Sequence, residues 1–475
     1  MLVIGGGLSG LASAVALAEA GLTVRLLEKR PHLGGRATSY TLPDGSEVDN
    51  CQHVTLGCCT NLADFYRRAG ASDKIRFYDR LYFADRRGRR STIEASRLPP
   101  PFHMAPSFLK FASLSFADKR AIANVLLAIA RAGGEPRDVE SISMLEWLHR
   151  MKQPPGAIER FWRVVLVSAL DEELSRTEAR YGIQVLWKGF LASRGGYRIG
   201  IPTVALAALY EGCRDAILKR GGSVRLRSGV REIRMQGGQF TTAVLDDGTD
   251  VTADACVVAV AHTGLPGLLP KELIDPGGPL QGLSHIRTSP ITGVHFWFDR
   301  SVMEAPFLAL LEHKTQWVFN KSLLHGENGN QATKESKGQY LQLVISASYD
   351  MVPLSRQEII DLCRAELADV LPATREAKLE KATVIKEVAA TFSPEPGVDR
   401  FRPGQEFGAK RLFLAGDWTR TGWPSTMEGA VRSGYLAAEA ALNSFGCSQK
   451  FVQPDLPSEG LSAVWEKRRS LSRSI

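Results

Sequence analysis

The sequence predicts an α/β protein of two domains. Three observations point there. The chain opens with a strand, glycine turn, helix and strand within about thirty residues, the length of a βαβ unit. Buried apolar strands follow far downstream, at 251–261 and 411–415. Other strand-like runs, at 290–298, 339–347 and 382–392, read as a different sheet.

The opening unit comes first. Residues 2–4 (LVI) form a short β-rich run, 10–20 (GLASAVALAEA) a helix, and 23–27 (TVRLL) a second strand ending at Glu28. Met1 falls almost on the glycine loop, so further residues upstream are expected. In Gly5-x-Gly7-x-x-Gly10, Gly5 allows the tight turn, Gly7 lets backbone approach a pyrophosphate, and Gly10 lets the helix pack on the strand. The phosphates then meet the positive end of the helix dipole. Glu28 lies where a carboxylate bonds ribose hydroxyls. The unit predicts a bound dinucleotide.

The bulk numbers set limits. At 475 residues, two or three domains are expected. The apolar share of 44% and charged share of 23% are ordinary for a globular protein. A formal net charge of +8 favours anionic partners. No Lys/Arg-dense recognition helix or zinc-finger spacing is present, so phospholipid head groups fit better than nucleic acid. The seven cysteines include no CxxC pair, which argues against a metal site and for a reducing compartment. The apolar start lacks a basic n-region and is broken by Gly5-Gly6-Gly7, unlike a signal peptide. The longest other apolar run, 121–130, is far short of the ~20 residues that span a bilayer.

The middle of the chain has a different texture. Pro99-Pro100-Pro101 and Pro106 punctuate an apolar stretch containing Phe102, Phe108, Phe111 and Phe116. Ser115 reads as a helix N-cap with Asp118 at N3, a capping box. Ile122, Val125, Leu126 and Ile129 then mark one apolar helix face. A helix at 203–219, Gly221-Gly222 and a strand at 223–226 follow. After the strand at 411–415 come Gly416-Asp417 and a helix at 427–442 with a small-residue face. The polar tail, 446–475, reads as flexible and basic.

Gly34-Gly35-Arg36 resembles the point where the chain passes under the flavin in glutathione-reductase-like FAD proteins. Leu412-Phe413-Leu414-Ala415-Gly416-Asp417 and Pro424-Ser425-Thr426-Met427-Glu428-Gly429 complete the pattern. Together these motifs resemble the amine oxidase and carotenoid desaturase superfamily. That resemblance implies a Rossmann FAD domain joined to an α+β substrate domain of the amine oxidase and phytoene desaturase type. It places Asp417 at the ribityl chain and the helix beginning near Thr426 at the flavin pyrimidine edge, where a helix N-terminus favours negative charge. Val230 is implied as a backbone contact beside the adenine. The cofactor set is then Gly5, Gly7, Leu8, Ser9, Gly10, Glu28, Lys29, Gly35, Arg36, Val230, Gly416, Asp417, Pro424, Thr426, Met427 and Glu428.

A narrower likeness rests on Asp49-Asn50-Cys51-Gln52-His53, Leu56-Gly57-Cys58-Cys59-Thr60-Asn61, Pro101-x-His103 and Ala169-Leu170-Asp171-Glu172. These resemble bacterial hydroxysqualene dehydroxylases, also called squalene-associated FAD-dependent desaturases. The family pattern has glycine where this chain has Cys51 and asparagine where it has Asp171. The resemblance implies reductive removal of an allylic hydroxyl to give squalene, in hopanoid and squalene biosynthesis, with an external reductant for FAD. A carotenoid desaturase, or a non-enzymatic prenyl-binding protein on the same scaffold, are the alternatives.

The chemistry needs a hydride donor, a proton donor for the departing oxygen and a dry tunnel. His53 is the first candidate donor, since histidine titrates near neutral pH; a purely backbone-bonding histidine is the competing reading. Asp49 is the second, because burial raises a carboxyl pKa. Asp171 is the third, or else a surface acid. Residues 102–129, with Lys110, Lys119, Arg120 and Arg131, are expected to dock on an anionic membrane and open the tunnel. Phe108 and Phe111 are the anchors expected there. The protein is expected to be cytoplasmic and peripherally membrane-associated. The FAD domain is expected to take residues 1–75, 200–285 and 400–445, and the substrate domain 76–199 and 286–399.

Overall fold

The computed structural model describes residues 1–136, 139–326 and 338–473. Strand Leu2–Ile4, buried throughout, is the centre of a five-stranded parallel sheet. The order is Ser223–Arg225, Arg25–Leu27, Leu2–Ile4, Cys256–Val258 and Leu412–Leu414, with Val3 beside Leu26 and Val257. Such strands are apolar because helices cover parallel sheets on their faces. Helix Leu8–Glu19 packs on helix Met427–Ser444 across small side chains. A Cβ on Gly434 would lie 2.2 Å from Ser9 O, so the contact requires a residue without one. Residues more than 400 positions apart in sequence thus share one sheet.

A second, seven-stranded sheet runs Leu379–Phe392, Thr288–Phe298, Gln339–Ile345, Trp317–Asn320, Phe307–Leu310, Arg80–Ala84 and Arg90–Glu94. It is antiparallel except where Phe307–Leu310 lies parallel to Arg80–Ala84. Side chains alternate between faces. Phe307, Phe319 and Val344 pack with Trp162 and Leu166 of the helical region. Their neighbours Leu308, Val318 and Leu343 pack on helix Arg356–Val370 through Ile359, Cys363 and Leu367.

Several expectations change. The single strand expected at 251–261 divides into Asp250–Thr252, the edge of a three-stranded antiparallel sheet, and Cys256–Val258. The chain crosses between sheets there, and Ala255 O accepts from Leu2 N at 2.9 Å. Helix Phe116–Arg131 has the expected capping box: Ser115 Oγ accepts from Asp118 N, and Asp118 accepts from Ser115 N. Its buried face carries Ile122, Val125 and Ile129.

Phe111, however, is buried against Phe83 with ring centroids 5.2 Å apart, and Phe108 packs edge-on against Phe161. Neither is a surface anchor. Within 102–129 the exposed large apolar side chains are Phe102, Leu109 and Phe116, the last 80% exposed.

The tail, over the residues described, packs against the rest of the protein. Phe451 is 1% exposed, and Glu439 accepts from the backbone N–H of both Phe451 and Val452. Asp455 pairs with Lys188 and Arg432. Helix Gly460–Arg473 follows, with Ser462 Oγ donating to Leu191 O. Buried Phe451 supplies an apolar anchor that the tail's overall polarity conceals. Among the described residues, no helix is long and apolar enough to cross a membrane.

Candidate active site

The glycine turn is built by close approach. Gly5 has φ +104, and a Cβ there would lie 2.5 Å from Ala259 O. A Cβ on Gly10 would sit 1.9 Å from Gly5 O, so helix and turn touch backbone to backbone. The second glycine pair lies against the first: Gly34 N donates to Gly6 O at 2.8 Å, and a Cβ on Gly35 would come within 3.0 Å of Gly7 Cα. Glu28, buried at the end of its strand, accepts from Gly6 N at 2.5 Å and from Arg30 N at 2.7 Å. Its carboxylate therefore fixes the turn as well as presenting an acidic edge.

The C-terminal turn closes on this one. Strand Leu412–Leu414 delivers Gly416 and Asp417, and a Cβ on Gly416 would strike the Trp418 indole at 2.2 Å. Arg36 Nη2 donates to Asp417 Oδ1 at 2.6 Å, and the Ser425 hydroxyl donates to Oδ2. Burial raises the Asp417 carboxyl, but Arg36 and Ser425 outweigh it and hold it below the usual carboxylate range. Thr426 caps helix Met427–Ser444, its Oγ1 accepting from Gly429 N. Glu428 is fully buried and caps a different helix, Thr60–Arg68, accepting from Leu62 N and Asn61 Nδ2 at 2.8 Å each.

Both turns open onto one cavity of about 830 Å³. Gly5, Gly7, Leu8, Ser9, Glu28, Gly35 and Arg36 line it from one side. Gly416, Asp417, Pro424, Thr426, Met427 and Glu428 line it from the other. Three of the expected set are not in the wall. Gly10 lies beneath the turn, Lys29 is exposed, and Val230 begins the three-stranded sheet. Arg30 and the backbone at 259–261 line the cavity and were not foreseen. Arg30 follows Glu28 by two positions, and residues 259–261 follow the end of a sheet strand, both recognisable places for a ligand in an open α/β sheet. Beyond the turns the cavity runs between apolar side chains, among them Met104, Phe108, Leu126, Phe161 and Trp317, and reaches half-exposed Phe102.

This wall fits FAD. Two glycine pairs leave bare backbone where a pyrophosphate needs approach, and an acidic side chain stands at the end of the second strand. The helix from Met427 to Ser444 brings its N-terminus to the same space. The apolar extension continues from there.

The three candidate donors differ sharply. Asp49 is not in the cavity wall. It is buried, bonded to Lys321 Nζ at 2.7 Å, to Ser39 Oγ and to Leu206 N. Burial raises its carboxyl, but Lys321, His325 and the Leu206 N–H win and bring it down to about 2. The acid expected to be raised is thus lowered instead, because a lysine 272 residues away pairs with it. Lys321 also donates to Gln52, so it ties both ends of 49–52.

His53 does line the cavity. Its Nδ1 lies 3.0 Å from Cys51 O, so Nδ1 carries the proton and donates. Burial lowers its pKa, only partly countered by that bond. A neutral ring in this tautomer offers Nε2 as an acceptor, which counts against a donor role.

Asp171 also lines the cavity and is 4% exposed, so it is no surface acid. It accepts from Ala347 N at 2.8 Å and from Thr391 Oγ1 at 2.9 Å. Burial still raises its carboxyl well above the usual value, because no cation faces it. Both of its oxygens accept here, Oδ1 from Ala347 and Oδ2 from Thr391, where an asparagine would offer one acceptor and one donor group. It also takes φ +52 at the end of helix Arg163–Leu170, a conformation that Asp and Asn tolerate. The departure at this position therefore keeps shape and adds acidity. Cys51 does not take a positive φ, so its side chain needs no glycine.

The fold and this site define a flavin-dependent oxidoreductase. Residues 8–442 match the model of the flavin containing amine oxidoreductases, and the chain belongs to that family. It is 25% identical over 471 residues to a zeta-carotene desaturase of Synechocystis sp., covering 93% of this chain and 96% of the relative. It is 28% identical over 480 residues to a 15-cis-phytoene desaturase of Solanum lycopersicum, covering 95% and 79%. Among solved structures, putrescine oxidase bound to putrescine superimposes with a TM-score of 0.70 at 16% identity, over 93% of this chain and 98% of that one. An oxidoreductase from Methanosarcina mazei gives 0.71 at 16% identity, over 91% and 98%. The cofactor is FAD and the protein is an enzyme, which sets the non-enzymatic alternative aside.

Proposed function

We propose that the protein is a cytoplasmic, peripherally membrane-associated enzyme that reduces hydroxysqualene to squalene. The observation that carries this reading is Asp171: a buried carboxyl whose pKa burial raises, in the wall of the cavity that both glycine-bearing turns share with an apolar extension. Reduced FAD, when bound, supplies the hydride. The chain supplies the rest. Arg36 and Asp417 bind and orient the cofactor, together with the glycine turns and Glu28. The apolar wall from Phe161 to Leu126 takes the isoprenoid chain and excludes water. Asp171 gives its proton to the departing hydroxyl, and its bond from Ala347 N fixes its direction. Exposed Phe102, Leu109 and Phe116, with Lys110, Lys119 and Arg120 nearby, suit collection of substrate from an anionic bilayer.

A second reading is a carotenoid-type desaturase. Two observations favour it: the desaturase relatives across nearly the whole chain, and the acceptor Nε2 of His53, which suits removal of a proton. Product analysis separates the two. Chemically reduced holoprotein is incubated anaerobically with hydroxysqualene, and oxidised holoprotein with phytoene. Squalene from the first supports dehydroxylation. Desaturated product from the second, with none from the first, replaces it.

A further inference from the structure

A donor that works once must be recharged. In the proposed reaction the carbon–oxygen bond breaks, the hydroxyl leaves as water with the Asp171 proton, and carbon gains the hydride. Asp171 is left as a carboxylate, 4% exposed, in an apolar wall. One proton per turnover has to reach it from solvent.

We propose that a row of hydroxyls, Thr391, Ser289 and Tyr349, running to Glu172 beneath Arg176, returns that proton. The inference rests on the dehydroxylase reading.

The row begins at Thr391 Oγ1, 2.9 Å from Asp171 Oδ2. Thr391 stands opposite Ser289 in the antiparallel pairing of Leu379–Phe392 with Thr288–Phe298. Side chains of such partners share a face and start about 5 Å apart. Ser289 Oγ is fully buried and has no hydrogen-bond partner among the described residues. A buried hydroxyl without a partner calls for an explanation. Its free rotation supplies one: it can turn towards Thr391 or towards the Tyr349 phenol, which it also influences. Tyr349 OH donates to Glu172 Oε2 at 2.6 Å.

Glu172 is itself fully buried, but Arg176 Nε lies 3.6 Å from it. The Arg176 side chain is 35% exposed and pairs with Glu395 at 2.8 Å, so this end meets solvent. The charged groups facing Glu172 are Arg176, Asp171 and Glu173, with Glu395 beyond Arg176. Ser393 Oγ also donates to Glu172, and Glu173 N holds its Oε1. Burial keeps the Tyr349 phenol protonated, so it can donate one proton while accepting another. Each hydroxyl passes one proton and receives one, and the row ends unchanged.

Infrared spectroscopy of the substrate-free holoprotein tests this. The carboxylic-acid C=O band of Asp171, identified by its loss in Asp171→Asn, shifts when the sample is mixed with D2O. In wild type the shift is fast. In Tyr349→Phe and Ser289→Ala it slows on the order of a hundredfold, the usual size of losing one positioned proton-transfer group. Both variants remove one oxygen and keep the remaining shape, and bound flavin confirms their fold. Wild-type exchange rates in both variants overturn the relay while leaving the dehydroxylase reading standing. Absence of the Asp171 acid band in wild type overturns both.

Discussion

Arg36 Nη2 and Asp417 Oδ1 meet at 2.6 Å across 381 residues of sequence. The pair joins the second glycine turn to the C-terminal acidic turn, and both partners line the cavity. It closes the cavity wall where the two ends of the chain come together.

Arg36→Met is predicted to weaken FAD binding by about tenfold to a hundredfold, the range for losing one hydrogen bond to a charged group. Titrating apoprotein with FAD and following flavin fluorescence measures it. The fold should survive, because Asp417 keeps its bond from Ser425.

The pH dependence of stability has two opposite parts. Asp417 and Asp49 have depressed carboxyls, Asp49 to about 2. Their stabilisation is present above the ordinary value near 4 and is lost as pH falls towards the depressed one. Asp171 is raised, so its contribution is complete below about 4 and disappears as pH climbs through its folded value. Asp171→Asn cannot ionise. Its Tm is predicted to exceed that of wild type at alkaline pH and to match it in acid, by differential scanning calorimetry across pH. Its dehydroxylation rate is predicted to fall, since an amide does not protonate a leaving hydroxyl.

Lys321 and Asp49 are both buried, at 1% and 2% side-chain exposure. Removing one partner leaves an unpaired buried charge. Lys321→Met is predicted to destabilise by about 3–5 kcal/mol, and replacing both by apolar residues to recover much of that. Urea denaturation of the single variant and of Lys321→Met with Asp49→Leu checks it. Because Lys321 also holds Gln52, the single variant is predicted to release flavin more readily.

Membrane capture is predicted to depend on the side chains that reach solvent. Changing Phe102, Leu109 and Phe116 together to Ser should reduce co-sedimentation with anionic liposomes by several-fold and leave Tm near wild type. Phe111→Ser should instead lower Tm, because Phe111 packs in the core against Phe83.

What could be read from the sequence was what backbone geometry demands. Gly5, Gly10 and Gly35 stand where a Cβ would strike another segment, and such needs fix residue type at fixed spacing. Arg36 and Asp417 were recognisable because each sits beside such a glycine. The protonation of the candidate donors was not legible, since it depends on partners brought by the fold. The Asp49 carboxyl is lowered because Lys321 arrives from a distant strand end, and the Asp171 carboxyl is raised because burial meets no cation there. The tail misled for a similar reason: its polarity hides one buried phenylalanine, Phe451.

The most direct measurement is the reoxidation of flavin on adding hydroxysqualene to anaerobically reduced protein, followed by stopped-flow absorbance in wild type and Asp171→Asn. The flavin of wild type is predicted to reoxidise with one squalene formed per flavin, and that of Asp171→Asn on the order of a hundredfold more slowly. Equal rates in the two proteins would contradict the role of Asp171, and a flavin that stays reduced in wild type would contradict dehydroxylation itself.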